Sequence, residues 1–220
     1  MNREHYDQVR QALGSAQLCV VSKKRSEEEI LSYYEAGERI FGENHANELV
    51  SKASALPEDI EWQFIGHLQR NKVRSILPYV KRIQSLDNLP LAKVIEKEAA
   101  KLNRTVSVFV EFHLAEEDTN KTGLAKDDAV SFITEVAETC PHIKIEGIMA
   151  MGPHTEDEER VRAVFTEAHD LYLDLQNRFG KEMIRHLSMG MSQDYRIALK
   201  CGSTMVRIGT YLFEKEEEEV

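Results

Sequence analysis

Short apolar runs rich in β-branched residues alternate along this sequence with longer stretches in which apolar residues recur every three or four positions. The longer stretches are typical of one-sided helices, and they supply the crossover that neighbouring parallel strands need. Eight strand–helix units are the number that closes a barrel, so the sequence predicts an α/β fold of the (β/α)8 TIM barrel type. The predicted strands cover residues 17–22, 39–42, 61–65, 80–84, 106–112, 143–149, 184–188 and 205–208.

An open, doubly wound sheet is the main alternative for the same alternation. Closure is favoured because no glycine-rich dinucleotide-binding fingerprint follows the first strand. It is also favoured because residues 3–13 can form an extra N-terminal helix that covers the side left by the short ending after strand eight. We expect a single domain over residues 1–220, with 214–220 as a frayed acidic tail whose carboxylates repel one another.

Capping signals mark several helix ends. Ser26 is followed three positions later by Glu29, which is the pattern of a capping box. Asp87 or Asn88 precedes the next strongly periodic segment and is expected to cap it. Gly180 is expected to end the longest helix.

Composition narrows the class of protein. Acidic residues outnumber basic ones by 38 to 28 without a basic stripe, so nucleic acid is not an expected partner. No apolar stretch reaches the length of about eighteen residues that a membrane span needs. The three cysteines are widely spaced and show no zinc-ligand pattern, which predicts buried free thiols, a reducing cytoplasmic setting and no metal site.

Polar residues follow the predicted strands. In a barrel of this type the active groups gather at the carboxyl ends of the strands, so we expect these residues to surround one mouth. They are Lys23, Lys24, Glu43, Asn44, His45, Gly66, His67, Gln69, Ser188, Gly190, Ser192, Gly209 and Thr210.

The endings of strands seven and eight combine glycines with hydroxyls. Ser192 stands at a predicted helix N-cap after Gly190, and Gly209 is followed by Thr210. Backbone N–H groups and hydroxyls bind anions, and barrels often hold a phosphate between these two loops. The same residues also suit an ordinary strand-to-helix turn, which the pattern taken alone favours.

Two kinds of basic side chain need an explanation. Arg207 lies between apolar neighbours and cannot lose its proton, so it requires a buried carboxylate or a ligand atom as acceptor. Lys23 and Lys24 face opposite sides of the first strand, but alternation does not decide which of them faces the interior. A lysine amine near a cation such as Arg207 can attack a carbonyl, whereas two solvated lysines opening a loop are the ordinary alternative.

Seven motifs occur in order along the chain: VVSK (20–23), FGENHANE (41–48), EWQFIGHLQRNK (61–72), NKTG (120–123), GIMAM (147–151), LSMGMSQD (187–194) and GSTMVRIGT (202–210). Together they resemble the pyridoxal-phosphate homeostasis protein family, single-domain relatives of the N-terminal barrel of alanine racemase. The resemblance implies a fold-type III barrel whose cofactor is pyridoxal 5′-phosphate (PLP). The sequence departs from the family pattern at His45, in the loop 115–123 and in the MGP that follows strand six.

The resemblance also implies site residues. Lys23, and not Lys24, would form an aldimine with PLP. Arg207 would face the pyridine nitrogen, where it makes the ring a weaker electron sink, and Asn44 would lie beside the ring. The phosphate would lie against Ser192, Gly209 and Thr210, and the remaining implied contacts are Met149 and Ser188.

The implied function is a PLP carrier without strong catalysis. It would hold or deliver the cofactor in the cytoplasm, as part of vitamin B6 and amino-acid homeostasis, with apo PLP-dependent enzymes as candidate partners and a monomer or weak homodimer as the expected state. One alternative is an amino-acid racemase, which would need a second acid–base group opposite Lys23. A second is an aldolase-like barrel whose lysine forms a Schiff base with a sugar phosphate.

Overall fold

The structure, a computed structural model, describes residues 1–115 and 122–214. Eight parallel strands form a closed barrel in the order β1 to β8, and β8 pairs with β1 to complete it. The prediction of a TIM barrel is therefore confirmed, and the alternative of an open sheet is wrong. The strands are β1 Gln17–Val21, β2 Ile40–Glu43, β3 Glu61–Phe64, β4 Arg82–Leu86, β5 Val106–Phe112, β6 Ile143–Ala150, β7 His186–Ser188 and β8 Met205–Ile208.

Helices connect the strands and surround the barrel. They are α1 Arg3–Leu13, α2 Glu27–Glu35, α3 Ala46–Ala55, α4 Val73–Ile76, α5 Leu89–Lys101, α6 Ala129–Thr139, α7 Glu158–Phe179, α8 Tyr195–Lys200 and α9 Thr210–Phe213, with 3-10 turns at Arg70–Lys72 and Lys126–Asp128. Within the described parts of the chain, none of these helices is both long and apolar enough to cross a membrane.

Each predicted strand is present, but β2 begins one residue later than predicted, and β4 and β7 each begin two residues later. The backbone N–H groups of Tyr79 and Val80 both donate to the Ile76 carbonyl, which keeps Val80 in the turn that ends α4, so β4 starts at Arg82. In a similar turn, the backbone N–H groups of Met183 and Ile184 donate to the Gly180 carbonyl, so β7 starts at His186. The predicted tail beyond residue 214 and positions 116–121 of the loop 115–123 lie outside the described residues.

The core has two layers. Outward-facing strand residues pack against the helices in one large cluster, which includes Leu18, Val20, Phe41, Phe64, Val108, Val110, Ile148, Leu187, Val206 and Ile208. Inside the barrel lies a smaller apolar cluster of Cys19, Phe109, Met149 and Met205. All three cysteines are free, but Cys201, at the end of α8, is only half buried, so the prediction of a buried thiol is wrong there.

A chain of hydrogen bonds crosses the barrel interior. Gln84 Nε2 donates to Gln63 Oε1 at 2.5 Å, and Ser188 Oγ donates to Gln84 Oε1 at 2.7 Å. Arg207 Nη1 in turn donates to Ser188 Oγ at 2.7 Å. These contacts join β3, β4, β7 and β8 through side chains as well as through the backbone.

The N-terminal helix packs where it was predicted. Asn2 caps α1 by accepting from the His5 backbone N–H at 3.0 Å. The His5 ring stacks on Tyr211 with a centroid separation of 3.9 Å, and Tyr6 meets Tyr33 edge to face at 5.6 Å. The helix α1 thus covers the short ending after β8.

Three predicted helix signals are confirmed. Ser26 and Glu29 form a capping box at the start of α2. Asn88 Oδ1 accepts from the Leu91 backbone N–H at 2.8 Å and so begins α5. Gly180 ends α7 with a φ of 89°, a conformation that glycine adopts without a steric penalty.

We expect Asn88→Ala to lower the free energy of unfolding by about 1 kcal/mol, because the first turn of α5 loses its side-chain cap. Asn88→Ser is the matched control, since its hydroxyl accepts from the same backbone N–H. Urea unfolding followed by circular dichroism measures both. Equal stability of the alanine and serine variants would contradict the capping role.

Candidate functional site

A cavity of about 670 Å³ opens at the carboxyl ends of the strands. Val21, Ile65 and Met149 are among its apolar lining residues, and the loops after β1, β2, β6, β7 and β8 contribute polar ones. Of the eight predicted site residues, seven line this cavity: Lys23, Asn44, Met149, Ser192, Arg207, Gly209 and Thr210. The eighth, Ser188, is buried beneath it and bonds to Arg207.

The fold decides which of the two lysines faces the mouth. Cys19 belongs to the apolar cluster inside the barrel, and Val21, two positions on, lines the cavity. Lys23 continues this face and lines the cavity as well. No hydrogen bond or ion pair within residues 1–115 and 122–214 engages its ammonium. Lys24 instead adopts a left-handed conformation, and its backbone N–H donates to Glu48 Oε2 at 2.7 Å.

Arg207 is a buried cation held by neutral atoms. Its side chain is 4% exposed, and it donates to Ser188 Oγ at 2.7 Å and to the Ala150 carbonyl at 3.2 Å. Burial lowers the pKa of Arg207 from its ordinary value. A guanidinium carries about five N–H donors, and the two acceptors of these bonds are neutral oxygens, while the carboxyls of Glu111 and Asp194 act on Arg207 through their charge. The remaining donors can accommodate a ligand atom.

The loop after β7 differs from its prediction. Ser192 is not a helix N-cap, because α8 begins three residues further along, at Tyr195. Asp194 Oδ1 accepts from the Met191 backbone N–H at 2.6 Å and shapes the loop instead. Ser192 Oγ accepts from the Tyr211 backbone N–H at 3.2 Å, so its hydroxyl joins the loop after β7 to the first turn of α9.

Gly209 and Thr210 complete that corner of the cavity. A Cβ atom on Gly209 would lie 3.1 Å from both the Cβ and the carbonyl oxygen of Val21, which is tight packing between β8 and β1. The absence of a side chain therefore lets the end of β8 approach the strand that leads to Lys23. The two predicted phosphate loops are thus adjacent and face the same cavity as the lysine.

The end of β2 carries an unsatisfied acceptor. Asn44 Oδ1 is buried and has no hydrogen-bond partner within the described residues. Asn44 also lines a neighbouring cavity of about 540 Å³, to which His45 and His67 belong. Those two histidines do not line the cavity that contains Lys23. The loops after β2 and β3 thus form the wall between the two spaces.

Sequence reasoning missed several residues of the cavity. Tyr211 is tied to the N-terminal helix, because its hydroxyl donates to Gln8 Oε1 at 2.6 Å and its ring stacks on His5. The missed residues lie in loops or in the single turn of α9, where no periodicity reports orientation, and tertiary packing alone brings them to the mouth. They are Met151, Gly152, Pro153, His154, Met191, Gln193, Asp194, Tyr211 and Glu214.

A buried carboxyl lies near Arg207 inside the barrel. Glu111 is 3% exposed, and its Oε1 accepts from the Thr122 hydroxyl at 3.0 Å. Burial raises the pKa of Glu111 to about 7, the charge of Asp87 adds to the rise, and Thr122 and Arg207 oppose it. Glu111 therefore titrates near neutral pH.

Comparisons with known proteins agree on one family. The model of the alanine racemase N-terminal domain matches residues 2–216. The chain is 35% identical over 200 residues to the pyridoxal phosphate homeostasis protein of Helicobacter pylori, covering 90% of this chain and 87% of that protein. It is 38% identical over 199 residues to the protein of that name from Aquifex aeolicus, covering 90% and 86%.

Solved structures give the same picture. PipY of Synechococcus elongatus with PLP bound is 30% identical, with a TM-score of 0.86 over 96% of this chain and 99% of that chain. Alanine racemase from Clostridium difficile is 14% identical, with a TM-score of 0.78 over 99% of this chain and 57% of that one, which shows a shared fold.

The raised pKa of Glu111 predicts a pH-dependent stability difference. Between about pH 4.5 and 7 the folded chain holds a proton on Glu111 that the unfolded chain has released, so stability falls as pH rises through this window. Glu111→Gln removes the penalty and should gain roughly 3 kcal/mol relative to the wild type across it. Melting temperatures at several pH values measure the difference.

The matched control is Glu138→Gln, because Glu138 is exposed on α6. Its melting temperature should follow that of the wild type at every pH. A Glu111→Gln difference that stays constant from pH 4.5 to 7 would show that Glu111 is ionised throughout.

Proposed function

Because the chain belongs to the alanine racemase N-terminal domain family, and within it to the pyridoxal phosphate homeostasis proteins, we propose that it binds PLP in the mouth of the barrel. Its role is to hold this reactive aldehyde in the cytoplasm and so to take part in vitamin B6 and amino-acid homeostasis. The names of its relatives and the PLP-bound structure of PipY support the proposal. The observation that carries it is a lysine whose ammonium has no partner among the described residues and which shares one cavity with a buried arginine bonded to neutral oxygens.

The residues present fit such a ligand. PLP supplies an aldehyde that condenses reversibly with a primary amine, a ring that can accept electrons, and a phosphate. Lys23 offers the amine, and Ser192, Gly209 and Thr210 offer hydroxyl and backbone contacts for the phosphate. Asn44 Oδ1 is an acceptor that has no hydrogen-bond partner in the described parts of the chain. Each chemical group of the ligand thus has a counterpart in the cavity wall.

The position of Arg207 supports the proposal that the protein is a PLP carrier rather than an efficient enzyme. Its guanidinium, oriented by Ser188, would face the ring nitrogen and keep that nitrogen unprotonated, because a permanent cation disfavours a second positive charge beside it. An unprotonated ring is a weaker electron sink. Such a site holds the cofactor while doing little to stabilise a carbanion.

A racemase would need a second acid–base group opposite Lys23. The tyrosine that lines the cavity, Tyr211, has its hydroxyl committed to Gln8. Because Arg207 would weaken the ring as an electron sink and the hydroxyl of Tyr211 is engaged elsewhere, we propose that strong catalysis is absent. Sustained conversion of an L-amino acid to its D form by the purified, PLP-loaded protein, followed by chiral chromatography, would contradict this.

The same proposal includes delivery to apo PLP-dependent enzymes, one functional domain over residues 1–220 and a monomer or weak homodimer. Reactivation of a PLP-free aminotransferase by the loaded protein tests delivery. The rate should exceed that produced by an equal concentration of free PLP in the presence of a PLP-trapping amine. Equal rates would remove delivery from the proposal and leave storage.

Lys23→Ala should abolish covalent PLP binding, because among residues 1–115 and 122–214 Lys23 alone of the cavity-lining residues carries a primary amine. Lys24→Ala is the matched control and should bind normally, since Lys24 is exposed, does not line the cavity, and keeps the backbone N–H that donates to Glu48. Borohydride reduction followed by peptide mass spectrometry locates the bound group. A label on Lys24, or a label retained in Lys23→Ala, would refute the assignment. An unlabelled wild type that instead reacts with a sugar phosphate would favour the aldolase-like alternative.

A further inference from the structure

The turn that carries Lys23 is fixed from the outside of the barrel by an ion cluster that the proposed function does not use. The cluster consists of Glu43 at the end of β2 and of Glu48 and Lys52 on α3. Lys52 is 7% exposed, and its ammonium donates to Glu43 Oε1 at 2.7 Å and to Glu48 Oε2 at 2.9 Å. The third bond of Lys52 goes to the Ser22 carbonyl at 2.7 Å, so every N–H donor of the amine has an acceptor.

The cluster binds both peptide groups that flank the Cα atom of Lys23. The Ser22 carbonyl belongs to the peptide before Lys23, and it accepts from Lys52. The Lys24 N–H belongs to the peptide after Lys23, and it donates to Glu48 Oε2 at 2.7 Å. Ser22 Oγ also donates to Glu43 Oε1 at 2.7 Å. Fixing both peptides fixes the direction in which the Lys23 side chain leaves the backbone.

The turn itself would not keep this shape unaided. It is closed by one backbone hydrogen bond, from the Arg25 N–H to the Ser22 carbonyl at 3.0 Å. Lys24 has a φ of 58°, in the left-handed region that a residue with a Cβ atom rarely adopts. A strained conformation of this kind persists where surrounding contacts determine it, and the ion cluster supplies those contacts.

Stability alone is a poor explanation for the cluster. Glu43 is completely buried, and its Oε2 has no hydrogen-bond partner among the described residues. Buried ion pairs add little net stability compared with well-packed apolar side chains, because both charges lose their hydration. Because burial of these charges costs hydration, the cluster is better explained by its contacts with the backbone on both sides of Lys23.

We propose that Glu43, Glu48 and Lys52 are positioning residues, which hold the backbone of Lys23 so that its amine is directed into the cavity. This role rests on the proposed function, because it is the covalent attachment of PLP that needs a fixed amine. It extends that function to three residues on the outer side of the barrel, none of which lines the cavity that contains Lys23.

The test compares Lys52→Met, which keeps the length of the side chain but removes its donors, with the wild type. Three quantities are measured: exchange of the Lys24 backbone amide by NMR without cofactor, the rate of borohydride-trapped PLP attachment, and binding of pyridoxine 5′-phosphate, which has the ring and phosphate but no aldehyde. We expect faster amide exchange and a loss of about tenfold to a hundredfold in attachment rate, the size of effect that a misplaced reacting group produces. Pyridoxine 5′-phosphate should bind as in the wild type, because the phosphate loops are intact.

Two further variants separate positioning from general destabilisation. Glu48→Ala removes the acceptor of the Lys24 N–H at a less buried site and should reproduce the slow attachment, whereas Glu48→Gln keeps an acceptor oxygen and should restore it. Val136→Ala is the control for destabilisation, because it leaves a cavity beneath α6 and does not alter the turn that carries Lys23. It should lower the melting temperature without slowing PLP attachment.

Unchanged amide exchange or unchanged attachment in both Lys52→Met and Glu48→Ala would overturn the positioning role. Equal loss of PLP attachment and of pyridoxine 5′-phosphate binding would also overturn it, since that pattern means collapse of the cavity. Absence of trapped PLP in the wild type would instead refute the proposed function itself, and the positioning role with it. The two failures are therefore distinguished by the wild-type measurement.

Discussion

A guanidinium enclosed in the barrel is the constraint on which much of this structure depends. Arg207 cannot lose its proton to become neutral, so the strands around it must present hydrogen-bond acceptors. They do so through Ser188 on β7 and the Ala150 carbonyl at the end of β6, and Ser188 in turn bonds to Gln84 on β4. The interior is therefore an ordered polar chain beside a small apolar cluster, and the side chains below the mouth have little freedom to rearrange.

Closure of the sheet converts this interior into a site. All eight strands run in the same direction, so their carboxyl ends meet at one mouth, and residues far apart in sequence become neighbours there. Lys23 follows β1, Asn44 follows β2 and Arg207 lies in β8. These three strands are adjacent in the closed barrel, whereas β1 and β8 would lie at opposite edges of an open sheet with the same strand order. The fold thus brings an amine, a cation and the hydroxyl-bearing loops into one cavity.

The sequence was sufficient for the architecture because periodicity reports how residues face a sheet or a helix. It located all eight strands, the N-terminal helix and the caps at Ser26 and Asn88. Strand ends were harder, since the turn that holds Val80 is a local hydrogen-bond pattern that periodicity does not encode. Ser192 was misplaced as an N-cap for a related reason: its hydroxyl binds Tyr211, a partner distant in sequence.

Lys52 shows the limit of sequence reasoning most clearly. A lysine on a helix is normally solvated, and nothing in its neighbours indicates that it is buried against the turn after β1. The side-chain contacts of Glu48 and Lys52 reach this turn from the side opposite to the cavity that contains Lys23. The contacts that fix the backbone of Lys23 are therefore separate from the loops after β6 and β7. Substitutions in those loops can change the shape of the cavity mouth while the lysine amine stays in place.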